Sequence, residues 1–262
     1  MMGKDAAMDR RGFLFKSAAF AVGGLAGLSS LSRVFAFDNT CLQPKLALII
    51  DDIGFSKSRL DMFLEIETVI TFAVLPRLPM SLPLAEKIHS LGYEVMLHQP
   101  MEPVNASVDP GPGAVYVGDD EEKIVNVLGE NISEIPFAVG VNNHMGSRFT
   151  ECPREMTDVM KTIKGKGLFF VDSLTTNHST GYLAARNLNV AAARRNLFLD
   201  DIHDVTAITL QLERLKARAV KTGSAIGIGH PFPETAEAIA LFRTCLIDSN
   251  IRMVNISSII AD

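Results

Sequence analysis

Apolar residues along this chain come in short unbroken runs, and each run gives way to a longer stretch with helical spacing. The runs at 45–50, 69–75, 93–97, 137–141, 168–171, 225–228 and 252–256 predict strands, with a weaker one at 189–193. Between them, 56–66, 82–91, 119–131, 153–166, 205–221 and 234–249 predict helices. The segment 56–66, for example, spaces Leu60, Phe63 and Leu64 along one face, and Pro153 and Gly167 bracket the fourth helix at its start and end. The stretch from Pro100 to Gly118, rich in proline, glycine and aspartate, predicts a loop. A strand that is apolar throughout is buried on both faces, as in a parallel sheet covered by helices. Seven or eight such β–α units predict a barrel or a doubly wound sheet, and 262 residues with 47% hydrophobic composition suffice for one core of that size.

The chemistry-bearing residues follow the same pattern. Asp51 and Asp52, His98, Asn142, Asn143 and His144, Asp172 and His230 each fall just past a predicted strand. In a parallel α/β barrel those strand ends converge on one rim. Three imidazoles and several carboxylates at one rim suit zinc or a similar divalent ion, with one open position for water. Glu102 and Arg148 lie near the same strand ends, and Arg148 is a candidate to orient Asp51. His89, His178 and His203 are expected to be structural or solvent-facing. The three cysteines, Cys41, Cys152 and Cys245, show no paired spacing, although a disulfide between two of them is compatible with an oxidising compartment.

The first 36 residues read differently. Arg10-Arg11-Gly12-Phe13-Leu14-Phe15-Lys16 precedes a weakly apolar, Ala- and Gly-rich stretch from Ser17 to Leu31, and Val34 and Ala36 suit a signal peptidase. This is similar to a twin-arginine export signal, so residues 1–36 are expected to be a signal peptide and residues 37–262 the exported domain, periplasmic or otherwise outside the cytoplasm. An uncut signal would leave a tether; after cleavage no stable membrane span is expected. Removing those residues takes away five basic and two acidic side chains and leaves 20 basic against 28 acidic, a net charge of −8. An acidic domain of this kind is not expected to bind nucleic acid.

Five motifs in order then carry a family resemblance: Ile49-Ile50-Asp51-Asp52-Ile53-Gly54, Leu97-His98-Gln99-Pro100-Met101-Glu102-Pro103, Gly140-Val141-Asn142-Asn143-His144-Met145-Gly146-Ser147, Phe170-Val171-Asp172-Ser173 and Ile226-Gly227-Ile228-Gly229-His230-Pro231. They resemble the divergent polysaccharide deacetylase (YibQ-like) family, a branch of the NodB-like carbohydrate esterase superfamily, from about Lys45 to the end of the chain. The resemblance implies a distorted (β/α)7 barrel and metal-dependent deacetylation of an acetylated envelope polysaccharide or other glycan. It implies Asp51 as general base, Asp52 and His98 as metal ligands, Asp172 as a tuning carboxylate and His230 as general acid. Two motifs depart from the superfamily. Its H-x-x-x-H reads His98 to Glu102 here, so Glu102 replaces an imidazole, and its Arg-Pro-Pro-Tyr is replaced by Asn-Asn-His-Met-Gly-Ser. His144 is therefore the expected source of the missing imidazole, with Glu102 an alternative ligand, and Asn142, Asn143 and Arg148 are expected to contact substrate. The same departures motivate a second reading, a catalytically silent envelope protein that binds glycan or a partner on the same barrel. A metallophosphoesterase is disfavoured because Asp51 is followed by Asp52-Ile53 instead of the D-x-H opening of that class.

Overall fold

A computed structural model describes residues 43–246 and 249–260. The expected signal peptide and Cys41 lie outside them. Seven main strand positions alternate with helices: β1 Lys45–Ile53, α1 Lys57–Leu64, β2 Thr71–Val74, α2 Ser81–Ser90, β3 Glu94–Met101, α3 Glu121–Glu134, β4 Ala138–Met145, α4 Pro153–Gly165, β5 Phe169–Asp172, α5 Gly181–Asn187, the short β6 Ala192–Arg194 and β7 Leu197–Phe198, α6 Val205–Thr222, β8 Ser224–Gly229 and α7 Pro233–Leu246. A two-residue β9, Arg252–Met253, and α8, Ser257–Ile260, end the described chain. Every strand pairing is parallel, in the order β6-β5-β4-β3-β2-β1-β8-β7. The two ends of that order are neighbours in sequence. Arg195 N–H donates to Asp172 on one side and Asn196 N–H to Ile226 on the other, so a single short segment divides its pairing between β5 and β8 and completes the ring. The fold is a distorted (β/α)7 barrel.

Period-two alternation separates two cores. On β1, Leu46, Leu48 and Ile50 pack outward under the helices, whereas Ala47 and Ile49 join Ala73, Met96, Val171, Ile226 and Ile228 inside the barrel. Val254 and Ile256 belong to this inner cluster. Gly140 leaves the room that the Phe169 ring fills: a Cβ at that glycine would lie 2.2 Å from Phe169 Cε2.

Three elements differ from the sequence expectation. The strands bearing the polar residues run longer, so Asp51 and Asp52, His98, and Asn142 to His144 lie within β1, β3 and β4 instead of past them. Helix α5 forms in a stretch to which the sequence pattern assigns no element. The predicted strand 252–256 pairs only through Arg252 and Met253, which sit beside Lys45 and Leu46.

Candidate metal centre and proton-transfer site

The inward parity that buries Ala47 and Ile49 continues to Asp51, and that of Met96 continues to His98. Along each strand the barrel lining therefore changes from apolar to ionisable. Two consecutive residues cannot both face inward on a regular strand. The β1–β2 register shifts between Ile50 and Ile53, and Asp52 adopts a left-handed backbone with φ 57°. Asparagine and aspartate tolerate this region better than other residues with a Cβ. The irregularity lets both carboxylates reach one imidazole nitrogen: His98 Nε2 lies 3.6 Å from Asp51 Oδ2 and 3.2 Å from Asp52 Oδ1.

His144 completes the cluster. Its Nδ1 is 2.9 Å from Asp52 Oδ1 and 3.1 Å from His98 Nε2. Asp52 Oδ1 is buried and makes no hydrogen bond. An orphaned carboxylate oxygen is costly in a protein interior unless something else meets it. The tautomer of His98 is set from behind. Asn142 Nδ2 donates to Asp51 Oδ1 at 2.8 Å, so its Oδ1 is the acceptor facing His98 Nδ1, also at 2.8 Å. In its neutral form His98 therefore carries its proton on Nδ1, and Nε2 presents a lone pair to the cluster. One carboxylate oxygen and two imidazole nitrogens thus form a triangle with edges of 2.9, 3.1 and 3.2 Å. Ligand–ligand edges in a tetrahedral site with bonds of about 2.1 Å are about 3.4 Å. This donor set fits a divalent cation.

Electrostatics differentiate the two aspartates. Burial pushes the Asp51 carboxyl above its ordinary pKa, although His98, His230 and Asn142 pull it back. Burial also opposes ionisation of Asp52, but the two imidazoles beside it hold that carboxyl far below the usual carboxylate range. His98 is pushed up: burial disfavours its charge, and Asp51 and Asp52 outweigh burial. Two neighbouring acids in one site with opposite shifts are suited to different tasks, proton acceptance and charge-bearing ligation.

His230 follows β8, and its partner is Asp200, a residue the sequence reading did not single out. Asp200 Oδ1 faces His230 Nδ1 at 2.9 Å, and its Oδ2 accepts from the His230 backbone N–H at 2.6 Å and from Thr235 Oγ1 at 2.8 Å. Burial opposes the imidazolium, but Asp200, with Asp51 and Asp52 farther off, overrides it and raises His230 to about 9. A signal for Asp200 was present in the chain. Leu197-Phe198-Leu199 runs into Asp200-Asp201 as Leu48-Ile49-Ile50 runs into Asp51-Asp52.

Other expected site residues stand elsewhere. Glu102 does not join the triad: its Oε1 pairs with Arg148 Nη1 at 2.6 Å and its Oε2 accepts from Val117 N–H at 2.7 Å. Arg148 is thereby directed to Glu102 and not to Asp51. Asn142 and Asn143 are buried and satisfied internally, Asn142 as described and Asn143 between Ser173 N–H and the Met145 carbonyl, so neither amide is free for substrate. Asp172 is fully buried and accepts from Leu174 N–H, Ser179 Oγ and Tyr182 N–H, which shapes the turn into α5. His89 stacks on Phe137, and His203 packs on Phe232. Cys152 and Cys245 are free thiols.

Two cavities meet at Asp52. One of about 120 Å³ is lined by Ser56, Arg59, Pro231 and Phe232, and one of about 270 Å³ by His144, Met145, Leu75 and the loop around Pro110. No helix among the described residues is long and apolar enough to cross a membrane.

Comparison with known proteins agrees with this architecture. The profile of the family described as divergent polysaccharide deacetylase matches residues 48–260. The uncharacterized protein YibQ of Escherichia coli (strain K12) is 33% identical over 211 residues, 80% of this chain and 66% of that protein. An uncharacterized protein of Haemophilus influenzae is 33% identical over 193 residues, 74% of this chain and 69% of that protein. The chain spans about two thirds of the length of these curated relatives. Among solved structures, the uncharacterized protein ATU2773 from Agrobacterium tumefaciens C58 superposes with a TM-score of 0.78 at 23% identity, covering 83% of this chain and 89% of that one. The catalytic domain of a peptidoglycan N-acetylglucosamine deacetylase from Eubacterium rectale gives 0.54 at 12% identity (81% and 88% covered). A CE4-family pseudoenzyme from Bacillus anthracis gives 0.53 at 16% (83% and 66%). At such identities the likeness is one of fold.

Proposed function

The chain belongs to the divergent polysaccharide deacetylase family, and on that premise we propose that it is an exported, metal-dependent hydrolase that removes an acyl group, acetyl in the simplest case, from an envelope polysaccharide. The observation that carries this reading is the convergence of Asp52 Oδ1, His98 Nε2 and His144 Nδ1 beside two further proton-handling groups, Asp51 and His230. Asp52, His98 and His144 would hold the cation, for which zinc is our choice. When bound, a divalent ion of this kind supplies Lewis-acid polarisation of the carbonyl and lowers the pKa of water.

The remaining steps belong to the protein's own groups. Asp51, held by Asn142, takes the proton from the attacking water as oxygen bonds to the acyl carbon. His230, charged by virtue of Asp200, gives its Nε2 proton to the amine nitrogen as the C–N bond breaks. Acetate and a free amino sugar leave, and solvent returns the proton from Asp51 to His230. Separating base from acid in this way gives the two proton transfers to two groups with complementary protonation states. Residues 1–36 acting as a twin-arginine signal would deliver the domain to the periplasm.

The test combines metal analysis of the purified protein with acetate release from N-acetylated oligosaccharides. About one divalent ion per chain is expected, with Asp51→Asn and His230→Ala each lowering kcat by roughly 10²–10⁴. Glycan binding that survives chelation, with no acetate released, would instead identify a silent binding protein.

A further inference from the structure

Resting on that hydrolytic reading, we propose that the natural acyl group is longer than acetyl, and that the 270 Å³ cavity against His144 and Asp52 is the pocket for its alkyl chain. The substrate class is then a glycan whose amino sugar carries a saturated acyl chain of several carbons.

The wall chemistry selects for such an occupant. Apolar residues, among them Leu75, Leu78, Pro100, Pro110, Pro112 and Met145, form most of the lining. Sugar hydroxyls lose water on binding and need donors and acceptors in return. Proline offers no backbone N–H, so even the main chain of this wall is poor in donors. Of its acids, Asp52 belongs to the metal triad, and Asp109 Oδ1 is engaged by Gly111 N–H at 2.9 Å. An alkyl chain forfeits no hydrogen bond there. An apolar cavity of about 150 Å³ already holds benzene, so the volume accommodates a six-carbon acyl group.

The pocket is also preformed. Gln99 and Asn131, both fully buried, donate to the Gly113 carbonyl at 2.9 and 2.8 Å, and Arg77 Nε donates to Asn131 Oδ1 at 2.7 Å. Met101 bridges to Val115 beside them. These contacts anchor the base of the 109–112 wall, and a preformed pocket need not be ordered at the expense of binding. On the far side of Asp52, the smaller cavity with Ser56 and Arg59 is the more polar of the two and suits the sugar. The cation site thus lies between an alkyl seat and a sugar seat, where an amide carbonyl joining the two must fall.

Alkyl hydroxamates, which pair a metal-chelating head with a tail of chosen length, test this without turnover. Calorimetry on the zinc-loaded protein should show affinity rising about three- to fourfold per methylene from acetohydroxamate through butanohydroxamate to hexanohydroxamate. Over four methylenes the hexano-to-aceto affinity ratio should therefore be about 80 or more. Leu78→Ser and Pro112→Asp, the latter at an exposed position that leaves folding intact, should each cut that ratio below ten. Equal or weaker binding of the longer chains, or a chain-length gain that persists in both variants, overturns the pocket. If acetate is still released from N-acetylated oligosaccharide in that case, the hydrolytic reading stands alone. If no hydroxamate binds and neither acetate nor hexanoate is released from the corresponding N-acyl sugars, both readings fall.

Discussion

Asp200 holds His230 from two directions, through the ring Nδ1 at 2.9 Å and through the backbone N–H at 2.6 Å. The carboxylate fixes the ring's orientation and its charge at once, and with Nδ1 bonded to it the proton available for transfer is the one on Nε2. The consequence is a pH profile. Catalysis needs Asp51 ionised and His230 protonated, so activity should rise as pH climbs through the elevated Asp51 pKa and fall as it passes about 9. In Asp200→Asn the alkaline limb should move toward the ordinary histidine value of about 6.5. A kcat/KM profile with an unmoved alkaline limb would remove His230 from the role of acid. The same shift links to stability. Since the folded pKa of His230 is raised, its contribution is complete below about 6.5 and is lost as pH rises through about 9. The gap in melting temperature between wild type and Asp200→Asn should narrow at high pH, what remains reflecting the His230 N–H and Thr235 bonds to Asp200.

Metal content separates the triad from its neighbour. Zinc at a hundredfold excess over its Kd should stabilise the domain by about 2.7 kcal/mol, a rise in Tm on the order of 5 °C. Asp52→Ala, His98→Ala and His144→Ala should each abolish that rise. Glu102→Gln should keep it, because both Glu102 oxygens are engaged by Arg148 and Val117. Thermal melts with and without zinc decide the matter, and loss of the zinc response in Glu102→Gln would return that carboxylate to the ligand set.

Asn142 supports the site from behind. Asn142→Ala removes the acceptor of His98 Nδ1 and the donor to Asp51 Oδ1 together, leaving two buried polar groups without partners. Unmet groups of this kind cost about 1–3 kcal/mol each, and loss of a partner behind a ligand weakens metal binding by roughly 10- to 100-fold. Competition with a chromogenic chelator should measure that loss; unchanged affinity would mean that His98 does not depend on Asn142 for its tautomer.

Gly140→Ala probes the inner packing. Its Cβ would enter the Phe169 ring, so the ring or the paired strands β4 and β5 must shift. Overpacking of this sort costs about 1–3 kcal/mol, which lowers Tm by roughly 2–4 °C for each kcal/mol. Calorimetric melting that matches wild type would show that the ring can leave its place freely.

Much of this arrangement was legible in the chain. The apolar blocks marked the parallel barrel, and the polar residues at their ends marked the rim. Two things were hidden, for physical reasons. Strand limits were underestimated because charged residues read as loop, whereas Asp51, His98 and Asn142 satisfy one another across adjacent strands and so stay within the sheet. Asp200 was hidden because β7 has only two residues, too few to show a period, although an apolar run ending in paired acids stood there as plainly as at Asp51. Conversely, Glu102 and Arg148 had the right chemistry and spacing but found each other. One-dimensional spacing cannot reveal a competing partner 46 residues away.

The segment 192–198 is held by a different neighbour at each of its halves. It works as a clasp: β5 and β8 are joined through it, and releasing it would part them. The chain emerging from that clasp leads directly to Asp200, so unfastening it also swings away the carboxylate that aims His230. Integrity of the cylinder and readiness of the proton donor are therefore one property of the molecule. Hydrogen exchange at the Arg195 and Asn196 amides would monitor both at once.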